Sequence, residues 1–174
     1  MINNFDYKKF KSLVRTEIVE KENEYIYKQQ YCKVKKITQI EKSDFFDLAD
    51  TLDYFSTIGY IHADLNKKNI IYTSDGFKII DYEPSLLQIK NNIKQLMVTI
   101  PYVLKDELKS KKITILTDKI GFYYFILRVN NHFSSLDVVN LSKTLQHKNK
   151  IDQKIIDFSY GEILNYAYSD IDLC

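Results

Sequence analysis

The chain has 174 residues, 45% of them apolar, with four glycines, two prolines and a formal net charge of +2. That length suits one domain burying about 70% of its unfolded surface, and the charge is too small to argue for a nucleic-acid partner. Two cysteines, Cys32 and Cys174, are too few and too far apart for a disulfide framework or a zinc site, and they fit a reducing compartment.

No apolar run approaches the length of a membrane span, and residues 1–11 are polar and aromatic rather than leader-like, so the expectation is a soluble, cytoplasmic protein. The lysine clusters at Lys33, Lys35 and Lys36 and at Lys109, Lys111 and Lys112 read as solvated surface. Residues 4–13, NFDYKKFKSL, interleave Phe5, Phe10 and Leu13 with lysines at helix-like spacing. From Leu13 to Thr38 apolar and polar residues alternate. This predicts antiparallel strands over 13–20 and 24–31, turning at Glu22-Asn23-Glu24, with Lys28 in the second. Phe45, Leu48, Ala49, Leu52 and Phe55 recur three and four apart on one helix face, with Ser43 as the expected N-cap and Gly59 as the left-handed stop.

NIIY and FKII flank Ser74-Asp75-Gly76, the strongest short hairpin signal in the chain. Thr99-Ile100-Pro101-Tyr102 reads as extended, because a residue before proline avoids the helical region. KIGFYYFILRV is apolar nearly all round and predicts a buried helix capped by Thr117 or Asp118. The tail predicts helices from near Ser135, from about Lys150, and over Gly161 to Tyr168.

The chemistry concentrates between Ile61 and Ser85. His62, Asp64 and Asn69 stand in the order H-x-D-x-x-x-x-N before the hairpin, and Asp81 follows it. The hairpin returns the second carboxylate to the side of the first. Two acids and an amide gathered there can hold a divalent cation beside an acidic substrate, the outline of phosphoryl transfer.

HADLNKKNII followed by KIIDYEPS resembles the catalytic loop and metal-binding segment of the protein kinase superfamily, which includes aminoglycoside and lipopolysaccharide-core sugar kinases. TIPYVLKDEL, residues 99–108, is similar to the end of an activation segment, with Glu107 in place of the Ala-Pro-Glu glutamate. Asp118 matches the aspartate that opens the central C-lobe helix and steadies the catalytic loop, and FFDLADTLDYFSTIGYIH resembles the helix before that loop. The similarity covers about residues 43–130. It implies an α+β, protein kinase-like fold: a rudimentary β N-lobe over 1–42 and a mostly helical C-lobe over 43–174. It implies ATP and magnesium as cofactors, Asp64 as general base, Asn69 and Asp81 as metal ligands, and Lys67 or Lys68 at the transferred phosphoryl group. His62 is then structural.

The N-terminal part departs from the family. No glycine precedes Gly59, so no glycine-rich loop covers the phosphates, and about 42 residues cannot supply five strands and a helix. In one alignment EIVEKENEYIYKQQYCK supplies the last two N-lobe strands and the hinge, and the nucleotide lysine is absent. In the other, Lys28 contacts the phosphates, with Glu17 or Glu20 nearby. Ala63 replaces an arginine that activation-loop phosphorylation would balance, and Tyr82-Glu83 replaces Phe-Gly, with Glu83 a surface carboxylate or an extra metal contact.

The expected function is a Mg-ATP-dependent phosphotransferase acting on a hydroxyl, with protein Ser/Thr ahead of a cell-envelope sugar as acceptor. The alternative is a pseudokinase that docks a protein. In either case an open sheet edge over 13–38 predicts a partner chain or second copy covering it.

Overall fold

A computed structural model describes residues 5–22, 24–81, 107, 113–130 and 154–172. Their elements in order are β1 (Thr16–Lys21), β2 (Glu24–Gln29), a 3-10 turn (Lys42–Phe45) running into α1 (Phe46–Thr57), β3 (Ile70–Thr73), β4 (Gly76–Ile79), α2 (Ile115–Val129) and α3 (Tyr160–Asp172). The class is mixed α+β, with helices and two small antiparallel sheets. No described helix is long and apolar enough to cross a membrane.

The first hairpin pairs Thr16 with Gln29 through Lys21 with Glu24, close to the alternation read from the sequence. The second pairs Ile70 with Ile79 through Thr73 with Gly76. Its turn is closed by Thr73, whose Oγ1 accepts from Asp75 N at 3.1 Å and donates to Gly76 O at 2.9 Å. Gly76 has φ +88°, a conformation that a Cβ would strain.

α1 buries Leu48, Ala49, Leu52 and Phe55, the face that the three-and-four spacing marks. It stops at Gly59, φ +67°. α2 is buried on every side from Leu116 to Leu127, as expected of a helix without a polar face. Phe77 on β4 stands between Phe45 and Phe125, with ring centroids 4.8 and 5.3 Å away, so one aromatic cluster joins the 3-10 turn, β4 and α2. α3 adds Ile163, Leu164 and Ala167 to that core. Its first turn is a capping box: Ser159 N donates to Glu162 Oε2 at 2.7 Å, and Glu162 N donates back to Ser159 Oγ at 3.2 Å.

Three local expectations are corrected. Residues 5–13 form successive turns rather than a helix: Asp6 Oδ1 accepts from Lys8 N and Lys9 N, Phe10 N donates to Asp6 O, and Leu13 N donates to Phe10 O, after which Leu13 bridges to Ile79. Ser43 does not cap the helix over 46–57; a 3-10 turn precedes it, with Asp44 Oδ2 accepting from Glu41 N at 2.8 Å. α2 begins three to four residues earlier than expected, capped by Thr114, whose Oγ1 accepts from Leu116 N. Thr117 and Asp118 are then freed for contacts elsewhere. The extended segment at Thr99–Tyr102, Glu83, Cys174 and the helix starts near Ser135 and Lys150 lie outside the described residues.

The N-terminal segment is tied to the second hairpin. Leu13 makes a parallel bridge to Ile79, Ile79 N donates to Ser12 O at 2.8 Å, and Lys78 Nζ donates to Lys11 O. Phe5 packs against Phe55 and Tyr60. Lys35 N donates to Tyr72 O at 2.8 Å, holding the chain after β2 along the other side of the hairpin.

Candidate active site

The site grows from the loop between α1 and β3. Its entry is bent by a buried carboxylate: Asp118, in the first turn of α2, accepts from His62 N at 2.6 Å and from Ala63 N at 2.7 Å. Two successive backbone N–H groups converging on one anion require a curled backbone. Ala63 has φ +69°, in the left-handed region that a non-glycine residue enters only under constraint. Burial pushes the Asp118 carboxyl up to about 7, against the two N–H bonds that lower it; the nearby charges of Glu107 and Asp64 push in the same direction as burial.

His62 is fully buried. Its Nδ1 accepts from Asp64 N at 3.3 Å, so the ring proton sits on Nε2, which donates to Ile80 O at 3.0 Å. Burial lowers its pKa, more than the Ile80 bond and the nearby Asp64 and Asp81 charges raise it, and the ring is neutral. Ile80 N in turn donates to Asn69 O at 2.9 Å. Both polar groups of Ile80 are thus bound to the loop, and Asp81 is set directly after that anchor with φ +57°.

Asn69 Nδ2 donates both to Asp64 O at 2.9 Å and to Asp64 Oδ2 at 2.8 Å. This fixes the half-buried Asp64 carboxylate against the loop. Asn66 repeats the motif, donating to Asp64 O at 3.2 Å and accepting from Lys68 N at 2.8 Å. The loop, the hairpin and α2 therefore bring His62, Asp64, Asn69 and Asp118 into one bonded unit, with Asp81 the next residue after its Ile80 anchor. The Lys67 and Lys68 side chains lie exposed on its turn.

α2 presses closely on this unit. A Cβ on Gly121 would meet Leu65 O at 2.8 Å and Leu65 Cβ at 3.1 Å, so glycine is what lets the helix touch the loop backbone. Glu107, also buried, accepts from Thr114 N at 2.7 Å, Thr114 Oγ1 at 2.5 Å and Thr117 Oγ1 at 2.7 Å, fastening the start of α2.

Magnesium prefers oxygen ligands and needs only one or two carboxylates when phosphates complete its shell. The residues here suit that pattern. Asn69 spends its Nδ2 on Asp64, which leaves Oδ1 as an oxygen donor, and Asp81 is an exposed carboxylate that no described residue binds by hydrogen bond or ion pair. Among the described residues, no group of three or more His, Cys, Asp or Glu side chains forms an all-protein metal cage. Lys28 lies elsewhere, on β2, exposed and 4.0 Å from its cross-strand partner Glu17.

Sequence reasoning missed Asn66, the Ile80 backbone and Gly121. Asn66 carried a signal, an amide two residues after Asp64; the other two act through backbone geometry and carried none. Compared with known proteins, the chain matches no family model and no curated protein.

Proposed function

We propose that the chain is a Mg-ATP-dependent phosphotransferase of protein kinase-like kind, transferring a phosphoryl group to a hydroxyl, with a protein Ser or Thr ahead of a cell-envelope sugar as acceptor. The observation that carries this reading is the Asn69 amide bonded to both the main chain and the carboxylate of Asp64, with a second carboxylate, Asp81, directly after Ile80, whose backbone is anchored to the same loop. Such a pairing orients one acid toward a proton and leaves the other for phosphate-bound metal.

In this scheme Asp64 accepts the proton of the acceptor hydroxyl as its oxygen bonds to the γ-phosphorus and the bond to ADP breaks. Asn69 Oδ1 and Asp81 would hold magnesium, which supplies charge neutralisation at the phosphates. Lys67 and Lys68 add cationic charge at the loop's exposed turn. Neutral His62 and buried Asp118 hold the geometry rather than react.

ADP release in the presence of Mg-ATP and a pool of Ser- and Thr-containing peptides tests the proposal. Asp64→Ala is expected to lower the rate about 10²–10⁴-fold. Mg-ATP at about 100 times its dissociation constant should stabilise the wild type by about 2.7 kcal/mol. Activity equal in wild type and variant, with no nucleotide stabilisation, sinks it.

A second reading, a protein-docking module without transfer activity, is favoured by one observation. Tyr31, Val34 and Ile37 follow β2 with 87%, 62% and 40% of their surface exposed. A partner or second copy covering 13–38 would bury them, and a monomer by light scattering at all concentrations argues against a second copy.

A further inference from the structure

A cleft of about 870 Å³ lies away from the loop and hairpin just described, between the turns at residues 5–8 and the ends of β1 and β2. None of His62, Asp64, Asn69 or Asp81 lines it. Its volume falls in the range of small-molecule sites. Its walls are tied together: Tyr7 OH donates to Thr16 O at 3.3 Å, Gln29 Nε2 to Thr16 Oγ1 at 3.3 Å, and Gln30 N to Arg15 O at 2.9 Å.

Three cations line the cleft, Lys8, Arg15 and Lys28, against two carboxylates. Both carboxylates are engaged. Asp6 Oδ1 closes the turn by accepting from Lys8 N and Lys9 N, and Glu17 faces Lys28 at 4.0 Å. That ion pair is at the limit of contact, with both side chains about two-thirds exposed, so water screens it and an incoming anion can displace it. The Arg15 guanidinium has no acceptor among the described residues. A planar fork of N–H donors lining the same cleft as two lysines is the donor set that phosphate takes.

We propose that this cleft binds the phosphate group of a phosphorylated small molecule, with Arg15 as the principal contact and Lys28 as the second cation. The site goes beyond the transfer chemistry and operates without a metal.

The test is isothermal titration of the whole chain with inorganic pyrophosphate in EDTA. Saturable binding is expected, weakened by about tenfold or more in Arg15→Gln, as for loss of a charge-assisted hydrogen-bond pair. Lys28→Gln should weaken it by less. Asp81→Asn, at the candidate active site, should leave it unchanged. Arg15 and Lys28 are exposed, so these variants fold, and a far-ultraviolet dichroism spectrum checks it. No saturable binding up to about 10 mM pyrophosphate overturns the proposal. So does Arg15→Gln binding as tightly as wild type, or Asp81→Asn weakening binding as much as Arg15→Gln.

Discussion

Replacing Asp118 with asparagine keeps the shape of the side chain and removes its charge. The carboxylate accepts two N–H bonds, at 2.6 and 2.7 Å, whereas an amide offers one oxygen and turns an NH2 group toward the other donor. Leaving His62 N or Ala63 N unpaired in a buried site costs about 1–3 kcal/mol. The wild-type group also titrates. Its folded pKa of about 7, set against the ordinary carboxyl value of 3.8, favours the protonated form in the folded state, so its contribution is fully present below about pH 4 and is lost as pH rises through 7. The two values lie about 3 pH units apart. At 1.36 kcal/mol per unit that amounts to about 4 kcal/mol. Asp118→Asn has no such loss. Urea unfolding of both proteins from pH 4 to 8 should therefore show the variant less stable in acid and the gap closing, or reversing, by about 4 kcal/mol as pH rises. With a slope near 2 kcal/mol/M this moves the difference in midpoints by roughly 2 M. Taking the difference between the two proteins cancels the titrations they share. A gap that stays constant or widens with pH refutes the reasoning.

His62→Phe leaves Ile80 O and Asp64 N without the imidazole, and should cost about 1–3 kcal/mol at neutral pH by chemical denaturation. Because burial depresses the folded pKa of His62, its contribution is present above about 6.5 and falls away in acid; the variant should lack that acid-side decline. Gly121→Ala would gain up to about 1 kcal/mol of helix propensity in an open helix. Here the new methyl meets Leu65 O at 2.8 Å, so a net loss of about 1–3 kcal/mol in thermal or urea unfolding is expected. Tyr160→Phe removes a buried hydroxyl that has no partner among the described residues, and its stability should be unchanged or up to about 1 kcal/mol higher.

The second hairpin, the first helix and the buried helix were legible because each is written in local pattern: an Asp-Gly turn between β-branched runs, a three-and-four spacing, an unbroken apolar stretch. The caps were not. Thr117 and Asp118 have good capping chemistry, but Glu107 takes the hydroxyl of one and the 62–63 backbone takes the carboxylate of the other, leaving Thr114 to cap. Tertiary demand outranked local propensity. The same holds at residues 5–13, where helix-like spacing gave way to the Asp6 turn. Asp64, Asn69 and Asp81 stood out in the sequence as candidates because acids and amides at that spacing are informative. What joins them, the Ile80 carbonyl, the Asn69 carbonyl and the bare Gly121 backbone, belongs to groups that every residue carries or to a side chain that is absent.

The bond between Asp118 and the loop also orders events in time. It spans 56 residues from His62 and 55 from Ala63, while the loop's other ties close over far shorter stretches of chain. Local turns and hairpins form first, and long-range closures follow. A nascent chain that has emerged as far as residue 81 already contains His62, Asp64, Asn69 and Asp81, yet lacks the carboxylate that curls Ala63 and the helix that backs Leu65. The candidate-site side chains are made early and aligned late, so the site is assembled only when α2 docks.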